Sequence, residues 1–264
     1  MIKLDRAAGN QSISTPDHAL LAFPNGDWLL LFIGGFDGVV AGNVTQYHFS
    51  SGAFGAAGSL NVVHYGDGVS GTTLRSRIAV YADTQSNANA PALLSTTQFN
   101  GGRHLIAVQR SGGTQSPLAT LYSCPILAAA PIDDSAVITE ATSTSAAILK
   151  ELNGSGFMFG SRVDNTADRK SDQSVSRMLR VNRAASKFDL AQLAAGKEIF
   201  DLGYTPLLYV RASGIDDITD RGPNAFPFTL AGTPTSSAEP TFAYREGGSE
   251  PPAVADVVTV SNAE

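Results

Sequence analysis

Carboxylates are the first residues to weigh, because two of them facing one cleft can break a glycosidic bond. That chemistry needs one carboxyl to give a proton and another to attack or to activate water, about 5 to 9.5 Å apart. The first glutamate in the chain is Glu140, after most of the β-prone segments, and the aspartates at Asp133-Asp134 and Asp216-Asp217 are adjacent pairs. Neighbours on a strand point to opposite faces, so such pairs do not converge. No Gly-x-Ser-x-Gly elbow is present for an acyl-transfer triad. His18, His48, His64 and His104 are scattered, without the His-Glu-x-x-His spacing of a metal centre. His104 falls in an apolar strand, where a half-buried, hydrogen-bonded ring is expected. The expectation is no catalytic residue, no organic cofactor and no enzyme activity.

Hard oxygen ligands gather at Asp216, Asp217, Asp220 and Asn224, a set that suits calcium. The competing reading is that Asp220 and Asn224 cap turns. Asp164, Asn165 and Asp168 form a second, smaller set. A sugar site would need exposed aromatic rings beside polar groups. Trp28 reads as core; Tyr47, Tyr65 and Tyr81 could flank a groove, although aromatic residues in strands mostly pack.

The elements that would position these residues read as strands. Residues 101–122 carry an apolar strand, a Ser111-Gly112-Gly113-Thr114 reversal and a second strand; the glycines supply the backbone freedom of a tight hairpin. Further strands are expected at 2–4, 28–32, 46–50, 59–65, 73–81, 93–99, 157–160, 175–181, 206–210 and 226–230, with Met178 and Val181 facing inward. Residues 125–150 read as a long irregular loop with a short strand at 136–138. One helix stands out. Ser186 can cap it, Asp189 completes a capping box, Phe188, Leu190, Ala191 and Leu193 form its apolar side, and Gly196 ends it. Many strands at regular spacing mean a sandwich or barrel.

Beyond residue 232 the composition shifts. Pro234, Pro240, Pro251 and Pro252 break regular structure, and the β-prone run 254–260 stands alone. Residues 1–232 are therefore expected to form one sandwich and 233–264 an extended arm. Val254, Val257, Val258 and Val260 would dock by strand addition on a neighbouring subunit.

Bulk properties narrow the partners. The chain has 264 residues, 43% of them hydrophobic, and a net charge of −6. That argues for a sizeable core and against nucleic acid, which needs clustered Lys and Arg. Charged residues are only 16%, a composition suited to packing in an assembly. Cys124 is the only cysteine, so no internal disulfide can form, and the thiol is expected to be buried. The N-terminal Met-Ile-Lys-Leu-Asp-Arg has no apolar signal core, and no run is long enough to insert in a membrane. The expected place is the cytoplasm, or something larger that leaves it.

Arg103-His104-Leu105-Ile106-Ala107-Val108, the Gly-Gly-Thr turn, Leu121-Tyr122, Arg183-Ala184-Ala185-Ser186 before the helix, and Asp220-Arg221-Gly222-Pro223-Asn224 together resemble the concanavalin A-like, laminin G-like jelly-roll superfamily. The resemblance covers about residues 1–232. It implies an all-β fold: an antiparallel β-sandwich of jelly-roll type with one short helix and the extended C-terminal arm. Hydrolases of this superfamily carry their carboxylates on one strand as Glu-x-Asp-x-x-Glu, a string absent here. Members often hold calcium at a sheet rim, which is where the resemblance would put Asp216, Asp217, Asp220 and Asn224. Ala/Gly/Ser-rich loops of this kind resemble modules of bacteriophage and prophage virion proteins. The function implied is a structural virion protein (decoration, fibre or tail module), assembled in the host cytoplasm, with other virion proteins and copies of itself as partners. The alternative is a carbohydrate-binding, calcium-dependent adhesion module for host surface polysaccharide.

Overall fold

The computed structural model describes residues 1–5, 11–36, 46–66, 76–85, 90–99, 101–126, 133–153, 156–161, 173–215, 217–237 and 242. In chain order the strands are β1 (Ile2–Leu4), β2 (Ser12–Ser14), β3 (Trp28–Phe36), β4 (Gln46–Ser51), β5 (Leu60–Gly66), β6 (Ser76–Ala82), β7 (Leu93–Leu94), β8 (Arg103–Ser111) and β9 (Leu118–Pro125). They continue with β10 (Ile138–Ser143), β11 (Met158–Phe159), β12 (Gln173–Val181), β13 (Leu208–Gly214), β14 (Asp217–Asp220), β15 (Thr229–Ala231) and β16 (Thr235–Ser236). Two α-helices are present among the described residues, α1 (Ala146–Leu149) and α2 (Lys187–Ala194).

The strands form two antiparallel sheets packed as a sandwich. One runs β10-β9-β8-β3-β12-β1-β16, with β13 also on β12 and β14 on β13; the other runs β15-β2-β11-β4-β5-β6-β7. Alternation along each strand divides the apolar residues. Trp28, Leu30 and Phe32 of β3 join Phe49, Val62, Val80 and Phe159 of the opposing sheet in the central core. Leu29, Leu31 and Ile33 face the other way and pack beneath α2. This double coverage is why β3 reads as an unbroken apolar run. Each fully buried Leu or Phe here contributes on the order of 1.5–3 kcal/mol.

The hairpin at 101–122 forms with Trp28 of β3 opposite Arg110 and Arg110 opposite Ala119. The helix at 187–194 has the expected cap: Ser186 Oγ accepts from the Asp189 N–H at 3.1 Å, and Asp189 Oδ2 accepts from the Ser186 N–H at 3.3 Å. Several expectations shift. Val181 lies under α2 and not inward, whereas Met178 is inward as expected. The segment 125–150 holds the six-residue strand β10 and the short α1. Of 93–99, only Leu93–Leu94 pairs as a strand, because Ser95 Oγ takes the N–H of Ile78 and itself donates to Thr97 O. Thr235–Ser236 pairs with Ile2 and Lys3 at the edge of the larger sheet, and the Met1 ammonium donates to Ser237 O at 2.9 Å. The first residues after 232 thus lie on the sandwich itself.

Candidate functional site

The register places the starts of β4, β8 and β12 and the ends of β3, β5 and β9 at one end of the sandwich. Polar side chains enter the core there. His64 follows the inward parity of Leu60 and Val62, and His48 sits at the irregularity in β4 between Tyr47 and Phe49. Their rings lie 5.4 Å apart between centroids, and the Phe32 ring stacks 6.2 Å from that of His48. Gln173 Nε2 donates to His48 O at 3.3 Å, which turns Gln173 Oε1 toward His48 Nδ1 at 2.6 Å. Nδ1 of His48 therefore carries the proton. Burial, then repulsion from His64, holds the His48 pKa well below the usual histidine value, against the opposing pull of the Gln173 hydrogen bond. His104 stands nearby on β8, half-buried, its Nε2 3.3 Å from Gly101 O and its ring edge-on to Phe99 at 5.1 Å. Burial lowers its pKa as well. The convergence of His48, His64 and Gln173 is invisible to local spacing, since Gln173 is 125 residues from His48. The signal within reach was parity: His64 alternates with buried apolar residues.

The carboxylates are engaged by other groups of the fold. Glu140 Oε2 accepts from Thr96 N, Thr96 Oγ1 and Thr97 N at 2.8–2.9 Å, and Oε1 accepts from Ser123 Oγ. Burial alone would raise its carboxyl, but these donors outweigh it and hold the pKa below the ordinary glutamate value. Glu198 bridges Arg177 and Arg211, each at 3.4 Å, and accepts from the Tyr209 hydroxyl; burial first, then this hydrogen bond, pushes the Tyr209 phenol upward.

Asp220 and Asn224 share one loop. Asp220 Oδ1 accepts from the N–H groups of Tyr209 and Gly222 at 2.8 Å, and Oδ2 from that of Phe226 at 2.9 Å. Asn224 Nδ2 donates to Leu207 O at 2.8 Å. Asp217 begins β14, which Asp220 ends, so their Cα atoms are about 10 Å apart at the rise of an extended strand. Asp216 lies outside the described residues, as do Asp164, Asn165 and Asp168, and Val254, Val257, Val258 and Val260 of the arm. No group of three or more His, Cys, Asp or Glu residues suited to a metal occurs among the described residues. Tyr47 and Tyr81 lie on the outer face of the smaller sheet, nearly covered and packed edge-on against Phe54 at 5.6 and 5.1 Å. Trp28 is fully buried. Cys124 is buried too, and burial pushes its thiol up to about 11.

The opposite end of the sandwich carries buried cations, Arg110 and Arg180, that no local sequence pattern marks. Arg180 stands opposite Leu30, and Arg110 opposite Trp28, so both guanidinium groups enter the core. Arg180 donates to Val181 O and to Ala22 O and lies 4.7 Å over the Phe23 ring. Arg110 Nη2 donates to Asn25 Oδ1 at 2.9 Å.

No protein-family model matches the sequence, and no curated protein does. Solved structures share its architecture. A heptameric SAP-like pentraxin from Limulus polyphemus is 11% identical, with 91% of this chain and all of that chain covered and a TM-score of 0.48. The enzymatically active domain of tailspike protein 2 from bacteriophage CBA120 is 13% identical, with 66% and 24% covered and a TM-score of 0.44. A candidate carbohydrate-binding protein from Bacteroides ovatus is 14% identical, with 88% and 60% covered and a TM-score of 0.53. The chain spans the whole pentraxin but less than two thirds of the other two. Of the three, the Bacteroides ovatus protein alone exceeds a TM-score of 0.5, and it agrees with the architecture seen here: an antiparallel β-sandwich.

Proposed function

We propose that the chain is a non-catalytic, lectin-like module of a phage or phage-like particle, a decoration, fibre or tail component. It docks on neighbouring subunits through residues beyond the sandwich and displays the sandwich outward. The observation that carries the non-catalytic part is the engagement of Glu140, Glu198 and Asp220 by three or four donors each. A general acid or nucleophile needs a carboxylate open to substrate.

The shared fold with a candidate carbohydrate-binding protein over 88% of this chain supports a second role, attachment to surface polysaccharide. The fold alone does not fix a ligand, so binding is the test. The purified full chain is presented to an array of bacterial capsular and O-antigen polysaccharides, with and without EDTA, and reducing ends are assayed in parallel. Retention without turnover is expected. Release of reducing ends would end the non-catalytic reading, and no retention on any polysaccharide would end the attachment role. Mass spectrometry of purified particles tests the virion assignment directly.

Calcium at Asp216, Asp217, Asp220 and Asn224 belongs to the same proposal. Calcium should raise Tm, and Asp217→Asn should remove that rise. Asp220→Ala is a different experiment. It strips the acceptor from three backbone N–H groups and should cost about 2 kcal/mol or more whether or not calcium is present, read by urea denaturation.

A further inference from the structure

We propose that the Arg110–Trp28 end of the sandwich interior binds a small monovalent anion of the halide class. Arg110 and Trp28 stand directly opposite each other on β8 and β3, which brings their Cβ atoms to about 5 Å and their side chains onto one face. Both are buried, Trp28 fully and Arg110 to 1% exposure. Among the described residues Arg110 has one hydrogen-bond partner, Asn25 Oδ1. Its Nε and Nη1, and the indole Nε1 of Trp28, are buried without a partner. Three N–H donors from two facing side chains are thus held inside the core together with one positive charge.

The energetics favour an anion over water. A buried cation without an opposite charge costs several kcal/mol, and an amide oxygen such as Asn25 Oδ1 returns only part of that. Arg180 adds a second cation to this end of the core, and its partners are the carbonyls of Ala22 and Val181 and the Phe23 ring, none of them charged. The Phe23 ring in turn lies 4.8 Å from that of Trp28, so Arg180 stands over one ring of this pair and Arg110 lies opposite the other in the strand register. A water molecule satisfies donors but brings no charge. A halide does both, accepts several N–H donors without a preferred direction, and is small enough for a site closed to solvent. A phosphate or sulfate presents four oxygens that need donors, more than Arg110 and Trp28 leave unpaired, and would need more room.

Trp28 is the only tryptophan, so its fluorescence reports on this site alone. The full chain is exchanged into gluconate buffer and titrated with bromide at constant ionic strength, with chloride as competitor. The expected result is saturable quenching of Trp28 by bromide, relieved by chloride, together with a Tm that rises with chloride. Arg110→Met should abolish both effects. If that variant does not fold, Trp28→Phe, which keeps an aromatic ring of smaller size and removes the N–H, should lose the chloride-dependent rise in Tm. Absence of saturable quenching and of any halide-specific Tm change in the unaltered protein would overturn the proposal and leave water on these donors. A halide effect that survives undiminished in both variants would overturn the location.

Discussion

At the residue scale the histidines make the sharpest prediction. His48 is buried beside His64, and its proton affinity is depressed. In the unfolded chain the same side chain titrates near 6.5. Between the depressed folded pKa and about 6.5 the unfolded state therefore holds more protons than the folded one, so stability falls as pH falls through that window. The slope approaches about 1.4 kcal/mol per pH unit for one such group. Glu140 acts lower down. Its folded pKa is depressed too, so its stabilisation is present above the unfolded glutamate value and is lost as pH drops through the folded one. Urea denaturation from pH 7.5 to pH 5 should show the histidine loss, and His48→Gln should reduce it, leaving the share that His104 contributes through its own lowered pKa. A flat profile in the unaltered protein would mean that His48 is not held neutral by its surroundings. His48 was seen in the sequence only as one of four scattered histidines; its depressed proton affinity arises from burial against groups that sequence spacing does not connect.

At the element scale, legibility followed from how local each signal is. The 101–122 hairpin and the capped helix α2 were readable because glycine placement, alternation and the Ser186/Asp189 box act within a few residues. The strand β10 was not. Ile138 and Thr139 face solvent, and the buried member of the run is Glu140, so its apolar pattern is nearly absent and its place depends on Thr96, Thr97 and Ser123. The Gly34–Gly35 pair in β3 is another tertiary feature. A Cβ added at Gly34 would stand 1.9 Å from Ser174 O on β12, opposite the irregularity in β12 between Val175 and Arg177. Yielding here would disturb the eight-pair register between β3 and β12. Gly34→Ala should cost several kcal/mol, of the order of 3 or more. At Gly113 in the hairpin turn a Cβ would meet nothing within 4 Å, and the strain comes only from φ of +60°; Gly113→Ala should cost about 1 kcal/mol. Comparing the two variants by urea denaturation separates close strand approach from backbone conformation. Equal losses would mean that β3 and β12 adjust freely at Gly34.

At the scale of the whole molecule, the question is where the sandwich stops and an assembly element begins. A break at residue 232 follows the composition, but β16, the Met1–Ser237 hydrogen bond and the Arg177–Phe242 contact at 4.6 Å tie residues beyond it to the larger sheet. Cutting at 232 would uncover β1 and confuse loss of assembly with loss of fold. The informative truncation is therefore 1–242, which keeps β16 and Phe242 and removes Val254, Val257, Val258 and Val260. The edge strands give the docking proposal its physical content. β7, β15 and β16 are two or three residues long, and β10 carries an irregularity between Thr139 and Ala141. β14, outermost beyond β13, has four residues and pairs across an irregularity between Ala212 and Gly214. Short or interrupted edges resist strand addition, so in the docking proposal association falls to the residues beyond the sandwich. Light scattering should give a multiple of the monomer mass for the full chain and the monomer mass for 1–242, with Tm nearly unchanged between the two sandwiches. Equal association of both forms would place the contact on the sandwich and end the role of the arm. Under the proposed virion role, a monomeric full chain would leave docking to a different protein of the particle, whose contact on the arm could then be sought by crosslinking within intact particles.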